Sequence, residues 1–137
     1  MKKHIEYLDN LSRVLDEIRE KQLDSIEKAG EAFAVALENG RNIFLFGTGH
    51  SHMLAEELFY RAGGLVKIQP ILNEPLMLHE SASYSTEIER QEGLAQSLFD
   101  EYGIKKDDVI VIISNSGRNG VIVDMALICK ECGATVV

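Results

Sequence analysis

Four short β-rich runs, each parted from the next by a stretch of helical character, constrain this chain more than any other feature. They fall at 42–46, 65–71, 108–113 and 134–137. The first is a continuous apolar run ending at Gly47, which suits a strand buried on both faces, and the other three are β-rich. Between them, the segment 51–62 ends at Gly63-Gly64, 87–102 ends at Gly103 and 120–132 ends at Gly133. Glycine is a natural helix stop, so each segment reads as a helix. Strands alternating with helices of this length form crossover units. The expected fold is therefore α/β, a three-layer α/β/α sandwich around a parallel sheet.

Ahead of the first strand, a proline-free helical region from Ile5 to Leu37 carries Leu8, Leu11, Leu15, Ile18, Ile26, Ala29, Phe33 and Leu37 at spacings of three and four. Gln22 is a weak step in this stripe, and Gly40 ends it. Such a length exceeds what a small domain needs to cover one sheet face. Either the stripe packs against another subunit, or the region is two consecutive helices of one domain. The first reading predicts a homo-oligomer, dimer or higher, with the helix after Ser51 as a second candidate surface. The expected division is a helical region at 1–40 and a ligand-binding domain at 41–137. Because the sequence stops within its fourth strand-like run, that domain is expected to be incomplete at its C-terminal end.

With 137 residues and 45% hydrophobic composition, the chain has material for one packed core. Its net charge of −8 offers no basic face to nucleic acid, and that partner is not expected. An anionic ligand is still permitted, because backbone N–H groups and hydroxyls can hold it locally. Apolar runs such as 43–46 and 109–113 are far too short to span a membrane, and MKKHIEYLDN lacks the apolar segment of a signal peptide. The expectation is a cytoplasmic protein without a membrane partner. Cys129 and Cys132 form one Cys-x-x-Cys at the C-terminal end of a helix, where the macrodipole disfavours a thiolate. With no second pair to complete a zinc site, they read as ordinary helix thiols.

The chemistry concentrates in two turns. The first, Gly47-Thr48-Gly49-His50-Ser51-His52, lies directly after a strand and before a helix. Parallel sheets bind anions at this position, where free N–H groups and the positive end of the helix dipole converge. Glycines permit close backbone approach, and Ser51 can cap the helix or donate to a phosphate oxygen. His52 stands where the dinucleotide fingerprint needs a third glycine, and the Gly-Lys-Ser/Thr of a nucleotide P-loop is absent. No nicotinamide or ATP cofactor is expected. Alone, this turn could be a tight connection without a ligand. The second turn, Ser114-Asn115-Ser116-Gly117-Arg118-Asn119, ends the third strand in the same way. Asn119 can cap the next helix, but one cap needs only one side chain, and the surplus donors suit an oxyanion.

Together, Gly47-Thr48-Gly49-His50-Ser51 and Ser114-Asn115-Ser116-Gly117 resemble the two signature loops of the SIS (sugar isomerase) family. Gly133-Ala134-Thr135-Val136-Val137 resembles the Gly-Ala-x-hydrophobic segment that follows the second loop, so the likeness runs from about Asn42 to the end. Within the family, the chain looks most like bacterial SIS proteins labelled phosphoheptose isomerases. The resemblance implies a Rossmann-like sheet of the SIS type and a phosphorylated sugar as ligand. Gly47, Thr48, Gly49, His50, Ser51, Ser114, Asn115, Ser116, Gly117 and Asn119 would be the binding residues. It also implies either aldose-ketose isomerase chemistry or that of a related phosphosugar enzyme, or else a non-catalytic phosphosugar-sensing module. The lack of a helix-turn-helix segment or a basic N-terminal arm favours the enzyme. Asn119 departs from the family pattern, which has Thr there.

Three further groups could carry chemistry. His52 and Glu56 lie four apart and could share a metal ion, and phosphoheptose isomerases resemble this in placing a metal near their first loop. Two ligands do not make a site, so an exposed helix pair is expected instead. The connection 72–83 begins at the same sheet edge as both loops, and its polar residues can reach a sugar or simply cap a helix at Ser85 or Thr86. Within it, His79 and Glu80 are the expected acid-base pair, with Glu57 as runner-up. Glu56-Glu57 otherwise reads as a solvated helix face.

Overall fold

The computed structural model describes residues 2–137. Two compact units divide at Ala32/Phe33. The first contains α1 (Lys3–Lys21) and most of α2 (Leu23–Glu38). The weak step at Gln22 is a real break. Its backbone (φ −118°, ψ −3°) leaves the α1 path, and its N–H still caps Ile18 O. The stripe is thus carried by two helices, and α1 itself has no buried residue.

The second unit is the α/β domain. Its strands are β1 (Ile43–Gly47), β2 (Ile68–Ile71), β3 (Val109–Ile113) and β4 (Thr135–Val136). They form one sheet in the order β2-β1-β3-β4, and every pairing is parallel. Helices α3 (His52–Leu58), α4 (Ala82–Ile88), α5 (Leu94–Tyr102) and α6 (Gly120–Cys132) occupy the connections. The expected parallel α/β architecture is the one observed.

β1 is buried along its whole length, as a continuous apolar run in the middle of a sheet requires. Phe44, Phe46 and Ile110 share one face and pack with Leu98, Val121, Met125 and Cys129 into the main core. Ile43, Leu45 and Val109 point to the opposite face and are equally buried. Pro70 lies in β2, where the edge position tolerates its missing N–H. At the opposite end of the strands, buried Asp108 accepts the N–H of Asn42 at 3.0 Å and of Lys105 at 2.8 Å, fixing the starts of β1 and β3.

β1, β3 and β4 lie within one residue of their expected ranges, and three other elements shift further. β2 begins at Ile68 rather than 65 because 61–67 is spent on turns, with Gly64 N–H bonded to Arg61 O and Ile68 N–H to Leu65 O. The helix expected at 51–62 ends at Leu58, since Phe59 turns extended (ψ 139°) and Tyr60 is left-handed (φ 52°). The helix expected at 87–102 is two helices. Gly93, at φ 79°, adopts a conformation that helical residues avoid, and 89–93 leaves the helical path between α4 and α5.

Candidate functional site

The two donor-rich turns come together because β1 and β3 are neighbours. Gly47 pairs in register with Ile113, so Thr48 and Ser114, the next residue of each, leave the sheet side by side. This is the C-terminal edge of a parallel sheet, where the following helices present their N-termini.

The first turn needs glycine for a steric reason. A Cβ at Gly47 would come within 2.8 Å of the Ser51 carbonyl carbon, so only a residue without one lets the turn fold back onto the strand end. A 3-10 turn (Gly49–Ser51) then runs into α3, closed by the Ser51 N–H on Thr48 O at 3.0 Å. Ser51 has helical backbone (φ −66°, ψ −24°) and does not cap α3, because a cap requires extended backbone. Its hydroxyl is not committed to that role.

In the second turn, Ser114 Oγ accepts the Gly117 N–H at 3.0 Å and keeps its own proton to donate. Asn115, Ser116, Gly117 and Arg118 are exposed. Asn119 is the N-cap of α6 through its backbone, with its carbonyl accepting the N–H groups of Ile122 and Val123 at 3.1 Å. Its side chain does not cap, contrary to expectation. The amide donates instead to Glu89 Oε2 at 2.8 Å, and Thr48 Oγ1 donates to the same oxygen at 3.2 Å. The Glu89 carbonyl also accepts the Val121 N–H at 3.3 Å. One residue from the break between α4 and α5 thus touches both turns.

Beside the first turn lies a cavity of about 370 Å³ lined by His50, His52, Met53, Glu56, Leu78 and His79. His52 corrects the expectation of an exposed pair, since it is only 5% exposed. Its Nδ1–H donates to Gly49 O, and Nε2 lies 3.2 Å from Glu56 Oε1. The buried ring is therefore clamped between the turn and α3. The His79 ring stands 5.6 Å from it, and His79 Nε2 is 3.5 Å from Glu80 Oε1. His79 and Glu80 are both more than half exposed, while Glu57 engages Arg61 and does not line this cavity. Among the described residues, no group of three or more His, Cys, Asp or Glu side chains is placed to hold a metal ion.

The connection after β2 starts at this edge. Leu72 is clamped by Tyr102, whose hydroxyl donates to Leu72 O at 3.0 Å and accepts the Leu72 N–H at 2.9 Å. Neither Ser85 nor Thr86 is a cap. Both lie inside α4 and donate to Ala82 O at 3.1 Å. The side-chain oxygen of Asn73, next along from Leu72, is buried without a hydrogen-bond partner. Away from the site, Cys129 is buried in the core, which, with Cys132 nearby, pushes its thiol up to about 11.

Sequence reasoning did not single out Glu89 or Tyr102. Their partners lie 41 and 30 residues away for Glu89 and 30 for Tyr102, and no local spacing signals such pairings.

The chain matches the SIS domain family over residues 6–137. It is 47% identical over 131 residues to a UPF0309 protein of Listeria innocua, covering 96% of this chain and 53% of that protein. A UPF0309 protein of Thermoanaerobacter pseudethanolicus is 42% identical over 135 residues, covering 97% of this chain and 55% of its own length. The chain thus spans about half the length of the curated relatives it matches. Among solved structures, a phosphoheptose isomerase from Francisella tularensis superimposes with a TM-score of 0.68 at 20% identity, covering 98% of this chain and 71% of that one. That likeness bears on the fold. Among the described residues, no helix is long and apolar enough to cross a membrane. Paired turns at one edge of a parallel sheet and a match over nearly the whole sequence lead to one conclusion: this chain belongs to the SIS domain family.

Proposed function

We propose that the protein binds a phosphorylated sugar, with the phosphate between the turns 47–51 and 114–119, and interconverts its aldose and ketose forms. The observation that carries this reading is the side-by-side exit of the two turns from β1 and β3. Gly47, Thr48, Gly49, His50 and Ser51 act from one side. Ser114, Asn115, Ser116, Gly117 and Asn119 act from the other. Hydroxyls and backbone N–H groups can hold a dianion here by hydrogen bonds although the chain carries a net charge of −8. The likeness in fold to a phosphoheptose isomerase is consistent with the same class of substrate.

The acid-base work falls to His79 and Glu80. In the aldose-to-ketose direction, Glu80 takes the proton from C2 while His79 gives a proton to O1, forming the enediol. Glu80 then returns its proton to C1, and His79 recovers one from O2. Imidazole and carboxylate suit these transfers near neutral pH. The cavity beside the first turn gives room for sugar carbons next to His79 and His52. In the same reading, residues 1–40 supply an association surface for a cytoplasmic homo-oligomer, and 41–137 hold the ligand.

The test is a screen of sugar phosphates by thermal shift, followed by kinetics on the one that binds. Glu80→Gln should lower turnover by about 100-fold or more with binding nearly unchanged. Near-normal turnover in both Glu80→Gln and His79→Ala would remove these two residues from the chemistry. Tight binding without turnover in the wild type would identify a sensing module instead.

A further inference from the structure

We propose that Glu89 is a positioning residue that braces the two ligand turns against each other and sets the gap between them. The inference rests on the phosphate reading of those turns. Its basis is a three-way junction: Thr48 Oγ1 from the first turn and Asn119 Nδ2 from the second both donate to Glu89 Oε2, at 3.2 and 2.8 Å. Thr48 is only 8% exposed, so its hydroxyl needs a partner inside the protein. A carboxylate oxygen can accept both donors at once, and hydrogen bonds to a charged acceptor are stronger than neutral ones. The Glu89 carbonyl adds a third bond, to the Val121 N–H in the first turn of α6. Glu89 is thereby fixed by main chain and side chain together.

Two oddities of the sequence gain a physical reason. Glu89 is the C-cap of α4, its N–H still bonded to Ser85 O at 3.0 Å, and the break that follows leaves its carbonyl free for Val121 in α6 while its carboxylate reaches Asn119. Asn at position 119 supplies an N–H donor to the carboxylate. The Thr48 and Asn119 donors hold the frame around the phosphate, leaving the second Asn119 amide proton and main-chain N–H groups for the ligand itself. The other side-chain donors to an oxyanion are the Ser51, Ser114 and Ser116 hydroxyls and the Asn115 amide.

The brace is tested with inorganic phosphate as the probe, by calorimetric titration of the wild type and of Glu89→Ala, Glu89→Gln and Asn119→Ala, with urea unfolding of each in parallel. Glutamine keeps an oxygen for both donors and removes a negative charge. Glu89→Gln should therefore bind phosphate as tightly as wild type or more so, while Glu89→Ala and Asn119→Ala weaken it by about tenfold, the scale of a lost charged hydrogen bond. Unchanged phosphate binding in folded Glu89→Ala and Asn119→Ala overturns the brace and leaves the phosphate site standing, whatever the urea midpoints do. Glu89→Gln as weak as Glu89→Ala also overturns it, since the tie would then not be what matters. If wild type binds neither phosphate nor any sugar phosphate, the site reading fails and the brace fails with it.

Discussion

Cys129 shows how burial leads in setting the chemistry of a residue. Desolvation in the core, with a smaller contribution from Cys132, raises its thiol from an ordinary 9.0 to about 11. In the unfolded chain the thiol loses its proton earlier, so between these values unfolding releases a proton and base favours the unfolded state. Its stabilising contribution is complete below pH 9 and is lost as pH rises through about 11. Urea unfolding from pH 8 upward should therefore fall more steeply for wild type than for Cys129→Ala, whose baseline stability is lower because of the cavity it leaves. Parallel pH slopes would contradict this. The same position was legible from the sequence as an unreactive helix thiol, because a C-terminal helix end preceding Gly133 is a local feature. The roles of Asn119 and Ser51 were legible only in part. Each residue type announces a cap or a donor, but which one it becomes depends on Glu89 for Asn119, and for Ser51 on the helical backbone of the turn it occupies.

At the scale of elements, β1 was readable because burial on both faces demands a continuous apolar run, which needs no knowledge of neighbours, while β2 and the exposed β4 were readable only from their β-rich composition. Helix ends were harder to read. The break at 89–93 and the early end of α3 at Leu58 depend on what the chain reaches toward in space, and α-helical composition continues across both. In α1, Leu8, Leu11, Leu15 and Ile18 are 57, 45, 56 and 40% exposed along a three-four spacing. An apolar stripe left open to this extent is the basis for the proposed self-association. If the chain self-associates through this stripe, Leu8→Glu with Leu15→Glu should leave only monomer in sedimentation velocity while far-UV circular dichroism stays unchanged. A wild-type chain that sediments as a monomer at high micromolar concentration would rule the surface out.

For the whole molecule, one architectural fact organises the account: adjacent parallel strands deliver two serine-bearing turns to the same edge. The order β2-β1-β3-β4 puts the turn after β1 between the connection after β2, which carries His79 and Glu80, and the turn after β3. A ligand held at the centre can then be reached from both sides. The most direct measurement is calorimetric affinity for a sugar phosphate found by screening, compared among wild type, Ser51→Ala, Ser116→Ala and the double variant, with the dephosphorylated sugar as control. Each single variant should lose about 1.5 to 3 kcal/mol, as expected for a hydroxyl bonded to a charged group, and the free sugar should bind far more weakly than its phosphate. Wild-type affinity in both serine variants, or equal affinity for sugar and sugar phosphate, would contradict a phosphate held between the two turns.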